Sequence, residues 1–328
     1  MKATGHQLAI HARLPSGHEH SLSTGEVFEE EGFSPISRQL IDDLCSSIHI
    51  ETWCERNPLD TTESEALRYT WSSFCSAVKT KYRFTFFRTP DSRDEFDRDV
   101  FSIAEMLDRL QDVFESLKPW SEVDIGTLLY RARTRHGWKK PKDIGTPSAE
   151  NAKANRMSPE GIGMFYGAFD EETCLREICR IDQGRYHECT IGVFRTTTSM
   201  TLLDLTKVHP VTVFDELSDL QREYSKFLNQ FQQAIARPLN TEKANHIVEY
   251  APTQILTEFF RHTRMDALGK SIDGIVYNSS TTRGKPCVVL FVDHDECGFQ
   301  GDAKARLELI GTEDRCILFR PTIDLVEL

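Results

Sequence analysis

Apolar residues recur at helical spacing over the first third of the chain and in short extended runs over the rest. From Ser34 the pattern is helical. Ser34 suits a cap and Pro35 the first helical position. Ile36, Leu40, Ile41, Leu44 and Ile48 then follow at helical intervals. Thr62 and Glu65 form a capping-box pattern ahead of a second helix, whose apolar face is Leu67, Trp71, Phe74 and Val78. A third helix is predicted from about Asp94 to Leu117, with Pro119 as its stop. Phe96, Val100, Ile103, Leu107, Leu110, Phe114 and Leu117 line one face of it, and acids crowd its first turn. Residues 1–33 read as irregular and polar, punctuated by Gly5, Gly17, Gly25 and Gly32.

After Pro119 the texture becomes β-rich. Strands are predicted at Gly163–Phe169, Thr190–Arg195, Thr201–Leu205, Gly274–Tyr277, Val288–Val292 and Cys316–Phe319. Helical segments at about Asp215–Arg237 and Thr253–Thr263 interrupt them. The alternation is irregular, which argues for an α+β fold rather than a doubly wound sheet. Three regions follow: an irregular segment 1–33, a helical domain 34–119 and a mixed β-sheet domain 120–328. No internal repeat or low-complexity tract is visible.

Composition narrows the class. The chain has 328 residues, 39% hydrophobic and 27% charged, enough to bury a core, with a net charge of −12. Such acidity argues against broad binding of nucleic acid or anionic membrane. Residues 1–120 hold 13 basic and 21 acidic side chains, whereas 118–156 hold 9 basic and 4 acidic. That basic stretch suits one anionic ligand, or else a solvated surface. No apolar run reaches the roughly 18 residues of a membrane span, and the start lacks the apolar core of a signal peptide. Nine cysteines with no CxxC pair suggest reduced thiols and a cytoplasmic location. His18 and His20, with His6 and His11 nearby, match no metal-ligand spacing, and no metal is expected.

Candidate chemistry lies in the second half. Gly161, Gly163 and Gly167 have the wrong spacing for a dinucleotide fingerprint and lead into a strand. Arg13 and His18 have a ribonuclease-like spacing but sit in irregular sequence. Four segments combine in order instead: Leu129-Tyr130-Arg131-Ala132-Arg133; Asn155-Arg156-Met157-Ser158-Pro159-Glu160-Gly161 leading to Phe165-Tyr166-Gly167; Glu172-Thr173-Cys174-Leu175-Arg176-Glu177-Ile178; and Tyr250-x-Pro252-Thr253-Gln254 followed by Asp273-Gly274-Ile275-Val276-Tyr277-Asn278-Ser279-Ser280. Two arginines at separate turns suit two phosphates, because guanidinium forks bind phosphate in bidentate fashion. Tyr166 suits stacking on a planar ring. Glu177, in a helix-like segment, suits a sugar hydroxyl or an emerging cation, and Ser279 suits positioning a ring or ribose. Taken singly, each has an ordinary structural role: an ion pair, a core aromatic, an exposed helix acid, a turn hydroxyl. The ordered set points to a dinucleotide.

That set, over about residues 120–326, resembles the RES domain, named for its Arg, Glu and Ser positions. The helical front is similar to the HEPN-type domain that accompanies some RES proteins. The resemblance implies a compact fold related to the diphtheria-toxin-type ADP-ribosyltransferases. It implies NAD+ as substrate with no metal, by hydrolysis or phosphorolysis of the nicotinamide bond or by transfer of ADP-ribose to a protein. It also implies a toxin or defence role with an antitoxin or regulatory partner. By position, the catalytic residues implied are Arg131, Glu177 and Ser279. Arg156 and Tyr166 fall on substrate-binding positions, with Arg133 competing with Arg131 and Ser280 with Ser279. Met157 departs from the family, which often has an aromatic there. Two other readings stay open: a protein ADP-ribosyltransferase, and an inactive NAD-sensing or partner-binding module. A ribonuclease site in the helical half lacks an Arg/His pair on a helix.

Overall fold

A computed structural model describes residues 8–10, 22–30, 37–48, 53–55, 61–88, 101–178, 186–208, 210–212, 214–236, 246–262, 271–279, 281–282 and 284–318. In chain order its elements are β1 (Leu8–Ile10), α1 (Thr24–Glu30), α2 (Arg38–Ser47), β2 (Trp53–Glu55), α3 (Glu63–Thr80), α4 (Met106–Leu117), β3 (Trp120–Val123) and β4 (Leu128–Thr134). Then come α5 (Pro141–Ile144), β5 (Phe165–Ala168), α6 (Glu171–Ile178), β6 (Tyr186–Thr196), β7 (Met200–Asp204), α7 (Asp219–Ala236), α8 (His246–Glu249) and α9 (Ala251–His262). β8 (Gly274–Asn278), β9 (Pro286–Leu290), β10 (Cys297–Phe299) and β11 (Leu307–Leu318) complete the chain. The class is α+β, a helical front followed by a large mixed sheet.

Two compact units divide the chain. One comprises 1–73, 90–117 and 209–231; the other comprises 74–89, 118–208 and 232–328. In the first, α3 begins where its cap predicts. Thr62 N–H donates to Glu65 Oε2 at 3.0 Å, and Glu65 N–H donates back to Thr62 Oγ1 at 3.3 Å. Leu67 and Trp71 are buried, and Trp71 meets Phe231 edge-on, ring centroids 4.9 Å apart. α4 starts later than the pattern predicts. A 3₁₀ turn at Ile103–Glu105 precedes it, and Ser102 N–H is held by Glu105 Oε2 at 3.0 Å. Met106, Leu110, Val113 and Phe114 are its buried stripe, while Leu107 and Leu117 are only half-buried. Ser37, rather than Ser34, caps α2, its Oγ accepting from Leu40 N–H at 3.3 Å; no residue of α2 is buried. Residues 94–100, Ser34, Pro35 and Ile36 lie outside the described residues.

The irregular reading of residues 1–33 needs correction. Ser23 and Glu26 exchange backbone-to-side-chain bonds and start α1, and β1 pairs antiparallel with β2. A seven-residue helix gives too few turns for periodicity to reveal. His6, His11, His18 and His20 lie outside the described residues.

The second unit is built on a nine-stranded sheet in the order β10-β11-β6-β4-β5-β9-β8-β7-β3. β10 with β11 and β7 with β8 run parallel; the other pairs are antiparallel. One face carries a continuous core of Leu129, Phe165, Phe194, Leu202, Val276, Val288, Leu290 and Leu307. α6 packs on the other face, where Tyr130 and Ala132 of β4 meet Cys174, Leu175 and Ile178. The predicted strands are present with shifted ends, and β11 is much longer than predicted, running antiparallel to β6 with a bulge between Leu309 and Gly311. β3 and β4 were not predicted as strands. Arg131 therefore stands within a strand, not at a turn. Among the described residues no helix is long and apolar enough to cross a membrane.

Candidate active site

β8 ends at Asn278, and the chain turns back toward β9 through residues 279–285. Ser279 folds that turn. Its Oγ accepts the N–H groups of Thr281 at 3.1 Å and Thr282 at 2.9 Å. Ser279 is buried, and its hydroxyl donates to Glu177 Oε1 at 2.5 Å. Thr281 Oγ1 donates to the same oxygen at 2.8 Å. Glu177 sits in the last turn of α6, whose N-terminus is capped by Asp170: Oδ1 accepts Thr173 N–H at 2.8 Å. Glu177 and Ser279, 102 residues apart in sequence, thus come into direct contact.

Tyr277 relates Glu177 to two further groups, Tyr166 and Arg156. Tyr166 follows core-facing Phe165 on β5, so strand alternation turns it to the α6 face. Its hydroxyl shares a 2.9 Å hydrogen bond with Ser158 Oγ, and burial pushes the phenol up to about 12. Tyr277, two residues before Ser279, packs with Ala168, Cys174 and Cys287. Its phenol is raised well above the ordinary tyrosine value, by burial first and then by Cys287, Tyr166 and Glu177, with Arg156 opposing. Arg156 lies in an irregular segment before β5. Its Nη1 donates to Ile235 O, its guanidinium stands 6.0 Å from the Tyr250 ring centre, and its backbone carbonyl accepts from Thr253 Oγ1. Gln254 Nε2 fastens the same segment through Asn155 O at 2.8 Å and Ser158 O at 3.2 Å. This is how the Tyr250–Gln254 motif serves the site: it anchors the arginine loop.

Arg131 and Arg133 take the other face of β4. Leu129 belongs to the sheet core while Tyr130 and Ala132 meet α6, so alternation sends both arginines to the Leu129 side. Their contacts agree. The Arg131 guanidinium lies 5.3 Å from the Phe165 ring centre, and Arg133 donates to Gly145 O at 3.3 Å and lies 5.8 Å from the Trp138 ring centre. Arg131 reaches the group around Glu177 through the backbone, donating from Nη1 to Tyr166 O at 2.8 Å. Next to Tyr166, Gly167 leaves room for its neighbours, since a Cβ there would meet the Phe165 ring at 2.7 Å and Tyr130 O at 3.1 Å. Burial, then Arg133, lowers the Arg131 guanidinium to about 10, so it stays cationic at neutral pH. No carboxylate is among the groups that act on the Arg131 guanidinium, and its buried Nε has no hydrogen-bond partner among the described residues.

The structure therefore joins Glu177 and Ser279, sets Tyr277 within electrostatic reach of Glu177, Tyr166 and Arg156, and bonds Arg131 to the Tyr166 carbonyl. Ser280 lies outside the described residues. Met157 is buried. Thr281, Tyr277 and Ser158 also belong to the constellation. Tyr277 stands in β8 two residues before Ser279, and that nearness in sequence was the available signal. Thr281 carries none, being a threonine in a turn. An anionic, hydroxyl-rich ligand fits this set: a buried cation without a carboxylate, two phenols, and a carboxylate whose second oxygen takes no bond from the described residues. Among the described residues no group of three or more metal-ligating side chains is present.

Comparison with protein families matches residues 128–309 to the RES domain and residues 15–92 to HEPN/RES N-terminal domain 1. No curated protein and no solved structure matches the chain.

Proposed function

Because the chain belongs to the RES domain family, whose model covers more than half of it, we propose that it consumes NAD+ by cleaving the nicotinamide–ribose bond. The observation that carries this reading is the Glu177 carboxylate, held through one oxygen by the Ser279 and Thr281 hydroxyls near the Tyr277 phenol. Breaking the bond builds positive charge on the ribose, as in glycoside cleavage. A fixed carboxylate stabilises that charge and accepts a ribose hydroxyl through Oε2. Arg156 and Arg131 supply the positive field for the two phosphates, and Arg131 also fixes Tyr166 by its carbonyl. Tyr166 stacks on the nicotinamide or its ribose. Ser279 acts as an orienting donor to Glu177, because its lone pairs already accept two backbone N–H groups. Arg133 supports the arginine strand, and Ser280 is the alternative serine by position. The diphtheria-toxin-type fold, a toxin or defence role and an antitoxin partner belong to the same reading, as does a cytoplasmic site of action.

Incubation of the purified protein with NAD+, with and without phosphate, tests it by resolving nicotinamide, ADP-ribose and phosphorylated ADP-ribose. Nicotinamide release is expected from the wild type and not from Glu177→Ala. Equal release by both would overturn the assignment. Free ADP-ribose, its phosphorylated form, or added mass on a protein identifies water, phosphate or a protein as acceptor.

A further inference from the structure

We infer that Thr281 is a positioning residue for the reaction at Glu177, an inference that rests on the reading of Glu177 as the group facing the developing cation. Ser279 Oγ accepts two N–H groups, and its one proton goes to Glu177 Oε1. Thr281 Oγ1 lies 2.8 Å from that same Oε1 and 2.9 Å from Ser279 Oγ. With the lone pairs of Ser279 in use, the Thr281 proton also goes to Oε1. Two donors on one oxygen fix the carboxylate against rotation and leave Oε2 to the substrate. Misplacing a reacting group by about 1 Å can lower a rate about a hundredfold, so orientation here bears on turnover.

The two hydroxyls are not equivalent. Ser279 both folds the turn and binds the carboxylate, so its removal disturbs two things together. Thr281 contributes a donor to Glu177, while its backbone N–H remains to fold the turn in any variant. Thr281→Val keeps the shape and deletes the hydroxyl; Thr281→Ser restores it. In nicotinamide release, Thr281→Val is expected to lower kcat about tenfold, the scale of one lost hydrogen bond to a charged group. KM for NAD+ is expected to change by less than about twofold, and Thr281→Ser to recover most of kcat. Unchanged kcat in Thr281→Val would overturn the role, as would a rise in KM alone. Thr281→Ala replaces valine in the comparison should the valine variant fail to fold.

A second measurement needs no substrate. The carboxyl carbon resonance of isotope-labelled Glu177, identified by its loss in Glu177→Gln, should move in Thr281→Val and hold its position in Thr281→Ser. A resonance unmoved in Thr281→Val would remove the hydrogen bond and the inference with it. If the wild type releases no nicotinamide, the NAD+ reading fails, and this resonance still decides whether Thr281 holds the carboxylate.

Discussion

The Ser279 hydroxyl accepts two backbone protons and donates its own to Glu177. A hydroxyl so arranged has both lone pairs engaged by backbone N–H groups and none free to attack an electrophile. Phenylmethylsulfonyl fluoride is therefore expected to leave nicotinamide release unchanged and to add no mass at Ser279, both read after a long incubation. The thiols around α6 are equally quiet. Burial pushes Cys287 up to about 12 and raises Cys174 well above the usual thiol range. Alkylation at mildly alkaline pH should mark exposed Cys316 first and spare Cys174 and Cys287 until the protein is denatured, as peptide mapping would show. At this scale Glu177, Ser279, Tyr166 and both arginines were legible as an ordered motif. Thr281 and Tyr277 were not singled out, because their roles come from a hydrogen bond to Glu177 and from packing against Cys174 that exist only once α6 and β8 are assembled.

Caps and strand contacts decide the elements. The Thr62–Glu65 pair was readable because a capping box is local chemistry, and Thr62→Ala should lower stability by about 1 kcal/mol in a denaturant melt. The start of α4 was misread because apolar spacing continues upstream of Ser102, where the 3₁₀ turn begins. β4 was missed for a related reason. Its seven residues are split between a core face and an α6 face, and two arginines occupy the first of these, so no alternation of apolar and polar residues shows. Gly167 of β5 lies against Phe165 and Tyr130 O of β4. Gly167→Ala should destabilise by about 1–3 kcal/mol through overpacking against Phe165 and Tyr130. It should also weaken the proposed NAD+ turnover, since the neighbouring Tyr166 O accepts from Arg131. A melt and a rate assay on one sample check both.

Across the whole molecule, Asp314 of β11 fastens the turn after β4. It accepts from Thr190 Oγ1 at 2.6 Å and Gly137 N–H at 3.1 Å, and pairs with Lys139 at 3.0 Å. These bonds, Thr190 first, hold its carboxyl below the usual range. A depressed folded-state value adds stability above the unfolded value of about 4, and this is lost as pH falls through the lower folded value. Melting temperatures of wild type and Asp314→Asn should therefore differ at neutral pH and converge in strong acid. The sheet order itself was not legible, because strand partners distant in sequence leave no local pattern. Its ordering has a consequence for synthesis. Glu177 precedes Ser279 by 102 residues, which a ribosome translating about 5–20 residues per second covers in roughly 5–20 s. For that interval every newborn chain carries the carboxylate without its hydroxyls, so the catalysis proposed here waits on the residues after β8.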